Sequence, residues 1–201
     1  FVSTYSVSTL FGHNHLWQNQ GGTFTNVAVE RGFAAQAGGN SWLGLINSVE
    51  PGKTPTSYVG SNGFGLACAD ISGDGLLDIL LATISHPVDA DYNRKWSDPT
   101  QVLINRGEAE GYAFVNEASL RGLPFNEGDI DAAMIDFDND GYLDLSLSRE
   151  NKYEKNYEDD AQKGWFGLIR QNANGTFADM GTVSGINDLS ATLNASLADC
   201  T

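Results

Sequence analysis

Residues 135–145, IDFDNDGYLDL, place four carboxylates within nine residues between two apolar flanks. Counted from Asp136, the acids stand at positions 1, 3, 5 and 9, as Asp136, Asp138, Asp140 and Asp144. Alternate side chains of a tight loop point inward, and Gly141 supplies the backbone angle that such a turn needs. Because Ca²⁺ takes roughly 6–8 oxygen ligands, the stretch predicts a calcium loop in which Tyr142 adds a main-chain carbonyl. An EF-hand is excluded, since its bidentate acid falls at position 12.

The acidic motif occurs more than once. Residues 69–79, ADISGDGLLDI, repeat it 66 residues earlier, with a serine in place of the second carboxylate. The predicted ligands of this first loop are Asp70, Ser72, Asp74, Asp78 and the main-chain carbonyl of Leu76. Residues 197–201 match the start of a third copy, in which Asp199 is the predicted ligand. Repetition at a similar spacing indicates a repeat architecture.

Other parts of the sequence keep the same register. Phe114 precedes Asp136 by 22 residues, and Phe177 precedes Asp199 by the same distance. Both phenylalanines follow an apolar segment that ends in Asn and a glycine-containing turn. The phenylalanine and the acidic loop that follows it keep the same spacing in both copies, which argues against a chance match.

The DxDxDGxxD loops between apolar strands, each followed by an "hLxxNxGxGTF" strand pair, resemble the FG-GAP/VCBS repeats of calcium-binding β-propellers, which also occur in integrin α-subunit head domains. The resemblance covers essentially the whole chain outside three insertions. It implies an extracellular, calcium-stabilised propeller, secreted or at the cell surface, with a periplasmic location as the alternative. It also implies a role in binding, such as adhesion or the recognition of a protein or glycan ligand.

The strand pattern itself predicts an all-β fold with four strands in each unit. We predict strands at residues 64–71, 77–84, 101–106 and 112–117 in one unit, and at 130–137, 143–149, 165–172 and 176–180 in the next. Four-stranded units at a fixed period favour a β-propeller whose blades bury each other's faces. The acidic loops then connect strands 1 and 2 of their blades.

The whole chain, residues 1–201, is therefore predicted to be part of one propeller domain. Residues 1–62 form a partial blade with an insertion, 63–129 and 130–189 form blades, and 190–201 form the first strand of a further blade. Since propellers have about 4–8 blades, we expect a larger ring, made by a longer chain or by several associated copies.

Three long connections interrupt the repeats, at residues 31–62, 85–100 and 150–164. In a blade of alternating strands they all belong to the face opposite the acidic loops. Rigid scaffolds usually carry binding residues on such loops. The candidate ligand-binding residues on this face are Trp42, Tyr58, Tyr92, Arg94, Trp96, Tyr153 and Tyr157.

Composition limits the function classes. The net charge of −15, from 26 acids against 11 bases, argues against nucleic acid, which is bound through lysine and arginine. No stretch approaches the roughly 20 apolar residues of a membrane span. Catalytic motifs such as a nucleophile elbow or HExxH are absent from the sequence, so we expect no enzymatic activity in this chain. The alternatives are a scaffold domain of a larger secreted enzyme and a structural subunit of an extracellular assembly.

The chain has two cysteines, Cys68 and Cys200. They occupy different repeat positions in non-adjacent units, which argues against a disulfide between them. Cys68 lies in a predicted strand just before the first loop, so we expect it to behave as a small buried hydrophobic residue.

Overall fold

The computed structural model describes residues 14–34, 63–83, 99–126, 128–149 and 166–186. Strands supply nearly all of the regular structure in these ranges. They are β1 (Trp17–Asn19), β2 (Phe24–Asn26), β3 (Gly63–Ala69), β4 (Asp78–Thr83), β5 (Gln101–Asn105), β6 (Phe114–Asn116), β7 (Asp129–Ile135), β8 (Asp144–Arg149), β9 (Phe166–Gln171) and β10 (Phe177–Asp179). A 3-10 turn at Glu108–Glu110 and one helical turn, α1 (Gly181–Ser184), complete the list. The all-β prediction is confirmed.

The strands form two four-stranded antiparallel sheets and one hairpin. Strands β3 to β6 are hydrogen-bonded neighbours in chain order, as are β7 to β10, and β1 pairs with β2. Each larger sheet is therefore a meander, which needs only short-range pairing. The predicted strand bounds differ from those observed by at most two residues. The strand predicted within residues 190–201 lies outside the described part of the chain.

The two larger sheets meet at their first strands, β3 and β7. A β-bulge shifts the register of each strand near its start, between Gly63 and Leu66 in one and between Asp129 and Asp131 in the other. A Cβ atom on Gly65 would lie 2.6 Å from the Cα of Asp131, closer than real contacts allow. Glycine at this position is what lets the two backbones approach.

The middle sheet, β3 to β6, buries side chains on both faces. Successive residues of β4 alternate between two hydrophobic clusters. Leu80 packs with Leu145 and Ile169 of the following sheet, whereas Leu81 packs with Leu16 and Phe33 of the preceding hairpin unit. Each fully buried leucine contributes about 1.5–3 kcal/mol. The three units are thus stacked face to face, and neighbouring units share their cores.

A turn after the last strand of each unit reaches the next unit. The main-chain carbonyl of Arg31 accepts a hydrogen bond from the N–H of Phe114 at 2.7 Å, and that of Arg121 accepts from Phe177 at 2.8 Å. Both donors stand at the start of the fourth strand of the following sheet. The same link therefore occurs between the hairpin unit and the middle sheet and between the two larger sheets.

Cys68 is a free and exposed cysteine, so the prediction that it is buried is wrong. Its strand, β3, is the edge of its sheet. Cys200 lies outside the described residues.

Among the helical turns described, none has the length and apolar character needed to cross a membrane.

Candidate cation-binding loops

The second acidic loop connects β7 to β8 and brings three carboxylates together. Oxygen atoms of Asp136, Asp138 and Asp144 all lie within 4.8 Å of one another. Asp144 is buried, Asp136 is half-buried and Asp138 is exposed. Two oxygens bound to one Ca²⁺ at 2.3–2.6 Å are at most about 5.2 Å apart. The three carboxylates therefore lie close enough together to share one ion.

Backbone amides hold this loop in shape. The carboxylate of Asp136 accepts hydrogen bonds from the N–H groups of Asp140 at 3.1 Å and Gly141 at 2.9 Å. Asn139 and Gly141 have positive φ angles of 58° and 89°, which an Asn tolerates and a Gly adopts freely. The sequence Asn-Asp-Gly thus turns the chain back around the first carboxylate.

Asp144 joins the loop to the sheet. Its Oδ2 accepts from the N–H of Phe137 at 3.1 Å, and its Oδ1 accepts from the N–H of Gln171 on β9 at 2.7 Å. Burial raises the pKa of Asp144, the two backbone hydrogen bonds oppose this shift, and the charges of Asp138 and Asp140 add to it. The neighbouring negative charges thus add to the cost of ionising the buried carboxyl of Asp144, and a bound cation would relieve it.

Asp140, the fourth predicted carboxylate of this loop, is placed differently. Asp140 accepts a hydrogen bond at its Oδ1 from the N–H of Tyr142 at 2.9 Å, and it is not part of the converging group. The role of the Tyr142 main-chain carbonyl as a ligand stays a prediction. In the described residues, three of the four predicted carboxylates of this loop therefore come together.

The first acidic loop connects β3 to β4 and uses its leading acid in the same way. Asp70 accepts from the N–H groups of Gly73 at 2.8 Å, Asp74 at 3.0 Å and Gly75 at 2.8 Å. The hydroxyl of Ser72 also donates to Asp70, at 3.4 Å. Asp70 is therefore more fully hydrogen-bonded within its loop than Asp136 is.

The last acid of the first loop also fastens strands together. Asp78 is buried and accepts from the N–H groups of Ile71 at 3.1 Å, Ser72 at 2.9 Å and Asn105 at 2.8 Å. Asn105 ends β5 as Gln171 ends β9. In both units the ninth loop position thus ties the loop to the third strand. This tie was not predicted, because it joins residues 27 positions apart.

The donor set fits a hard divalent cation. Its members are carboxylate oxygens, without the thiolate or imidazole ligands that select zinc or copper. In the described ranges the second loop supplies the one group of three converging acids, and the acids of the first loop form no comparable group. The serine of the first loop removes the carboxylate that corresponds to Asp138.

Several predicted residues fall outside the described ranges of the chain. The third-loop residue Asp199 lies outside the described residues. So does every candidate on the insertion face, namely Trp42, Tyr58, Tyr92, Arg94, Trp96, Tyr153 and Tyr157.

An ion-pair cluster between the two sheets was not foreseen. Glu117 receives one hydrogen bond from Arg106 and another, at 2.9 Å, from Nε of Arg121. Burial of Glu117 opposes its ionisation, but the two arginines outweigh that effect and lower the pKa of its carboxyl. A spacing of four residues is a signal only within a helix, and residues 118–122 form a turn, so the cluster was not readable in the sequence.

No protein-family model and no curated protein matches this sequence.

Proposed function

We propose that this chain forms part of a calcium-stabilised β-propeller of the FG-GAP/VCBS type, and that the propeller acts outside the cell in binding a protein or glycan. In this proposal Ca²⁺ closes the two acidic loops. The ligand is bound away from them, on the face that carries the long connections.

The observation that carries the proposal is the convergence of Asp136, Asp138 and Asp144 at one hairpin. Three carboxylates brought together without a counterion repel one another, and the pKa of the buried Asp144 is raised by burial and by the charges of Asp138 and Asp140. A divalent cation offsets both costs. Loops of modest affinity suit the millimolar calcium of extracellular fluid.

The propeller part rests on the arrangement of the sheets. Two four-stranded meanders and a hairpin follow one another, and the middle sheet is covered on both faces. First strands of neighbouring sheets touch at Gly65, as expected where blades converge on a central axis. Such stacking leaves short, protected edges.

Thermal unfolding in a few millimolar CaCl₂ and in excess EGTA tests the calcium role. A ligand present at 100 times its dissociation constant stabilises by about 2.7 kcal/mol, which corresponds to roughly 5–10 °C for a chain of this size. The matched control is the double variant Asp136→Asn with Asp138→Asn, which should lose most of the shift. Equal melting temperatures of the parent chain in the two buffers would overturn the calcium role.

The binding role needs its own test. Immobilised chain in calcium buffer should retain at least one member of a panel of extracellular proteins and glycans, and EGTA should release it. A folded, calcium-loaded chain that retains no member of the panel would contradict the binding role.

A further inference from the structure

The turn after the fourth strand has the same structure in all three described units. It covers residues 26–33 in the hairpin unit, 116–123 after the middle sheet and 179–186 after the last sheet. The first residue, Asn26, Asn116 or Asp179, accepts a hydrogen bond at its side-chain oxygen from the N–H two residues later. The seventh residue is a glycine with a positive φ of 73°, 71° or 76°. We call these segments the first, second and third turns.

Two of these turns are joined to a following unit. The carbonyls of Arg31 and Arg121, at the sixth position, accept the hydrogen bonds of Phe114 and Phe177. The sixth residue of the third turn is Ser184, and no N–H group of the described residues donates to its carbonyl. The third turn thus presents an acceptor, and the described ranges hold no fourth strand that uses it.

Burial of the last turn residue follows the same division. Phe33 and Leu123 end the first and second turns and are 0 % and 2 % exposed, whereas Ile186, which ends the third, is 46 % exposed. Phe33 packs against Phe114, with 6.4 Å between the ring centroids, and Leu123 lies in one hydrophobic cluster with Phe177. Ile186 therefore has the position of a core residue, but no described unit covers it.

The other half of this contact lies in the hairpin unit. Phe24 begins β2 and faces Asn19 in the same register in which Phe114 and Phe177 face the strands before them. Phe114 and Phe177 are 8 % and 6 % exposed, whereas Phe24 is 62 % exposed. Its register points the N–H of Phe24 away from its own hairpin, and this N–H has no acceptor within the described ranges.

The chain therefore carries both halves of one contact, and neither half meets its partner in the described residues. A donor and an aromatic ring stand at Phe24, while an acceptor and an aliphatic side chain stand at the third turn. The same pairing joins the hairpin unit to the middle sheet and the middle sheet to the last one. Continuity with these two contacts identifies the occupant of the third turn as a unit of the same kind, and this chain supplies one at Phe24.

We infer that a second copy of this chain docks head to tail on the first, so that the third turn of one copy holds Phe24 of the next. The carbonyl of Ser184 accepts from the N–H of Phe24, and Ile186 packs against its ring. Such a contact joins different surfaces of the two copies, so repeated docking gives a ring if the rotation closes and a filament if it does not. The inference goes beyond the proposed function, and calcium has no part in the contact.

Light scattering of the full chain in calcium buffer, from about 1 µM to 1 mM, gives the first test. The average mass should rise with concentration to at least twice that of the single chain. A constant monomeric mass overturns the inference. Hydrogen exchange on the same samples should slow at the Phe24 amide as the mass rises. An associated chain whose Phe24 amide stays unprotected also overturns the inference, because the copies then meet through another surface.

Matched variants locate the contact. Phe24→Asp and Ile186→Asp should each weaken association about tenfold or more, and both replace exposed residues, so the monomer should keep its melting temperature. Val183→Asp is the control, because this position is exposed in all three turns, including the two that hold a fourth strand. Equal association of Ile186→Asp and Val183→Asp overturns the inference. The amide measurement uses the parent chain, so it decides the question even where a variant fails to fold.

A mixture of the two variants tests the head-to-tail geometry. The Phe24→Asp chain keeps an intact third turn, and the Ile186→Asp chain keeps an intact Phe24, so a mixture should form one contact and stop at a one-to-one dimer. Native mass spectrometry with one variant ¹⁵N-labelled identifies this dimer. A mixture that associates no better than either variant alone overturns the inference.

The outcomes separate this contact from the calcium role. A chain that stays monomeric but shows a large calcium shift in melting temperature overturns the head-to-tail contact alone. A chain that associates through Phe24 without a calcium shift overturns the calcium role alone.

Discussion

The two acidic loops have the same backbone course but divide their hydrogen bonds differently. In the first loop, Asp70 and Asp78 together accept from six backbone N–H groups. In the second, Asp136 and Asp144 accept from four, and a third carboxylate, Asp138, converges on them. The first loop is stabilised mainly by its own amides, whereas in our proposal the surplus charge of the second is stabilised by a counterion.

Removal of the ninth-position acid gives the largest expected effect and sharpens this comparison. In EGTA we expect Asp78→Ala to cost about 3–5 kcal/mol, because it leaves three N–H groups unpaired, one of them on β5. Asp144→Ala should cost less, about 2–3 kcal/mol, since two amides lose their partner and one unfavourable buried charge disappears. Urea unfolding measures both values. A larger loss for Asp144→Ala in EGTA would break the comparison.

The next largest effect is expected from exchanging the residues at the third position of the two loops. Asp138→Ser should weaken calcium binding at the second loop by about tenfold, and Ser72→Asp should tighten it at the first by a similar factor, since the number of charged ligands tunes calcium affinity. A tenfold change equals about 1.4 kcal/mol. Calorimetric titration of each variant reads the two affinities. Unchanged affinities in both variants would show that the difference between the loops has another origin.

The fifth-position acids provide a smaller test. Asp74 and Asp140 each accept one hydrogen bond, from Leu76 at 2.8 Å and from Tyr142 at 2.9 Å. Asp140→Ala should lower the melting temperature by a few degrees more in calcium than in EGTA, because about 1 kcal/mol corresponds to roughly 2–4 °C. Asp74→Ala is its matched partner in the first loop. Equal losses in both buffers for both variants would contradict a metal role at this position.

The smallest expected effect comes from the ion-pair cluster of Glu117, Arg106 and Arg121, which lies outside the two loops. The pKa of Glu117 is lowered by Arg106 and Arg121 against the opposing effect of burial. Its contribution to stability is therefore complete above the ordinary pKa of a glutamate and is lost as the pH falls through the lowered value. In EGTA, Glu117→Gln should flatten this part of the curve of melting temperature against pH. An unchanged acid slope would assign it to the loops instead.

Much of the fold was readable in the sequence because its determinants are local. Apolar alternation and Gly-containing turns gave the strands of both larger sheets, and the position of Gly141 gave the course of the second loop. The converging group was predicted in part, since the alternation that places Asp136 and Asp138 also nominated Asp140, whose carboxylate turns back to the amide of Tyr142.

What escaped prediction depends on contacts between units. The exposure of Cys68 follows from its place on an edge strand, which residue type does not reveal. The unpaired Oε1 of Gln171 arises where the last two sheets meet, and the attachment of Asp144 to β9 depends on the pairing of β8 with β9. Such features need the assembled sheets.

The carbonyl link from Arg121 to Phe177 has a consequence for how such a chain can be cut and rejoined. Because the turn of one unit supplies an acceptor to the fourth strand of the next, an excision at the boundary of a sheet leaves one acceptor and one donor without partners. The segment that can be duplicated or moved intact therefore has different boundaries along the chain from the segment that folds as a sheet. Each rearrangement has to restore a turn of this kind next to every fourth strand that it moves.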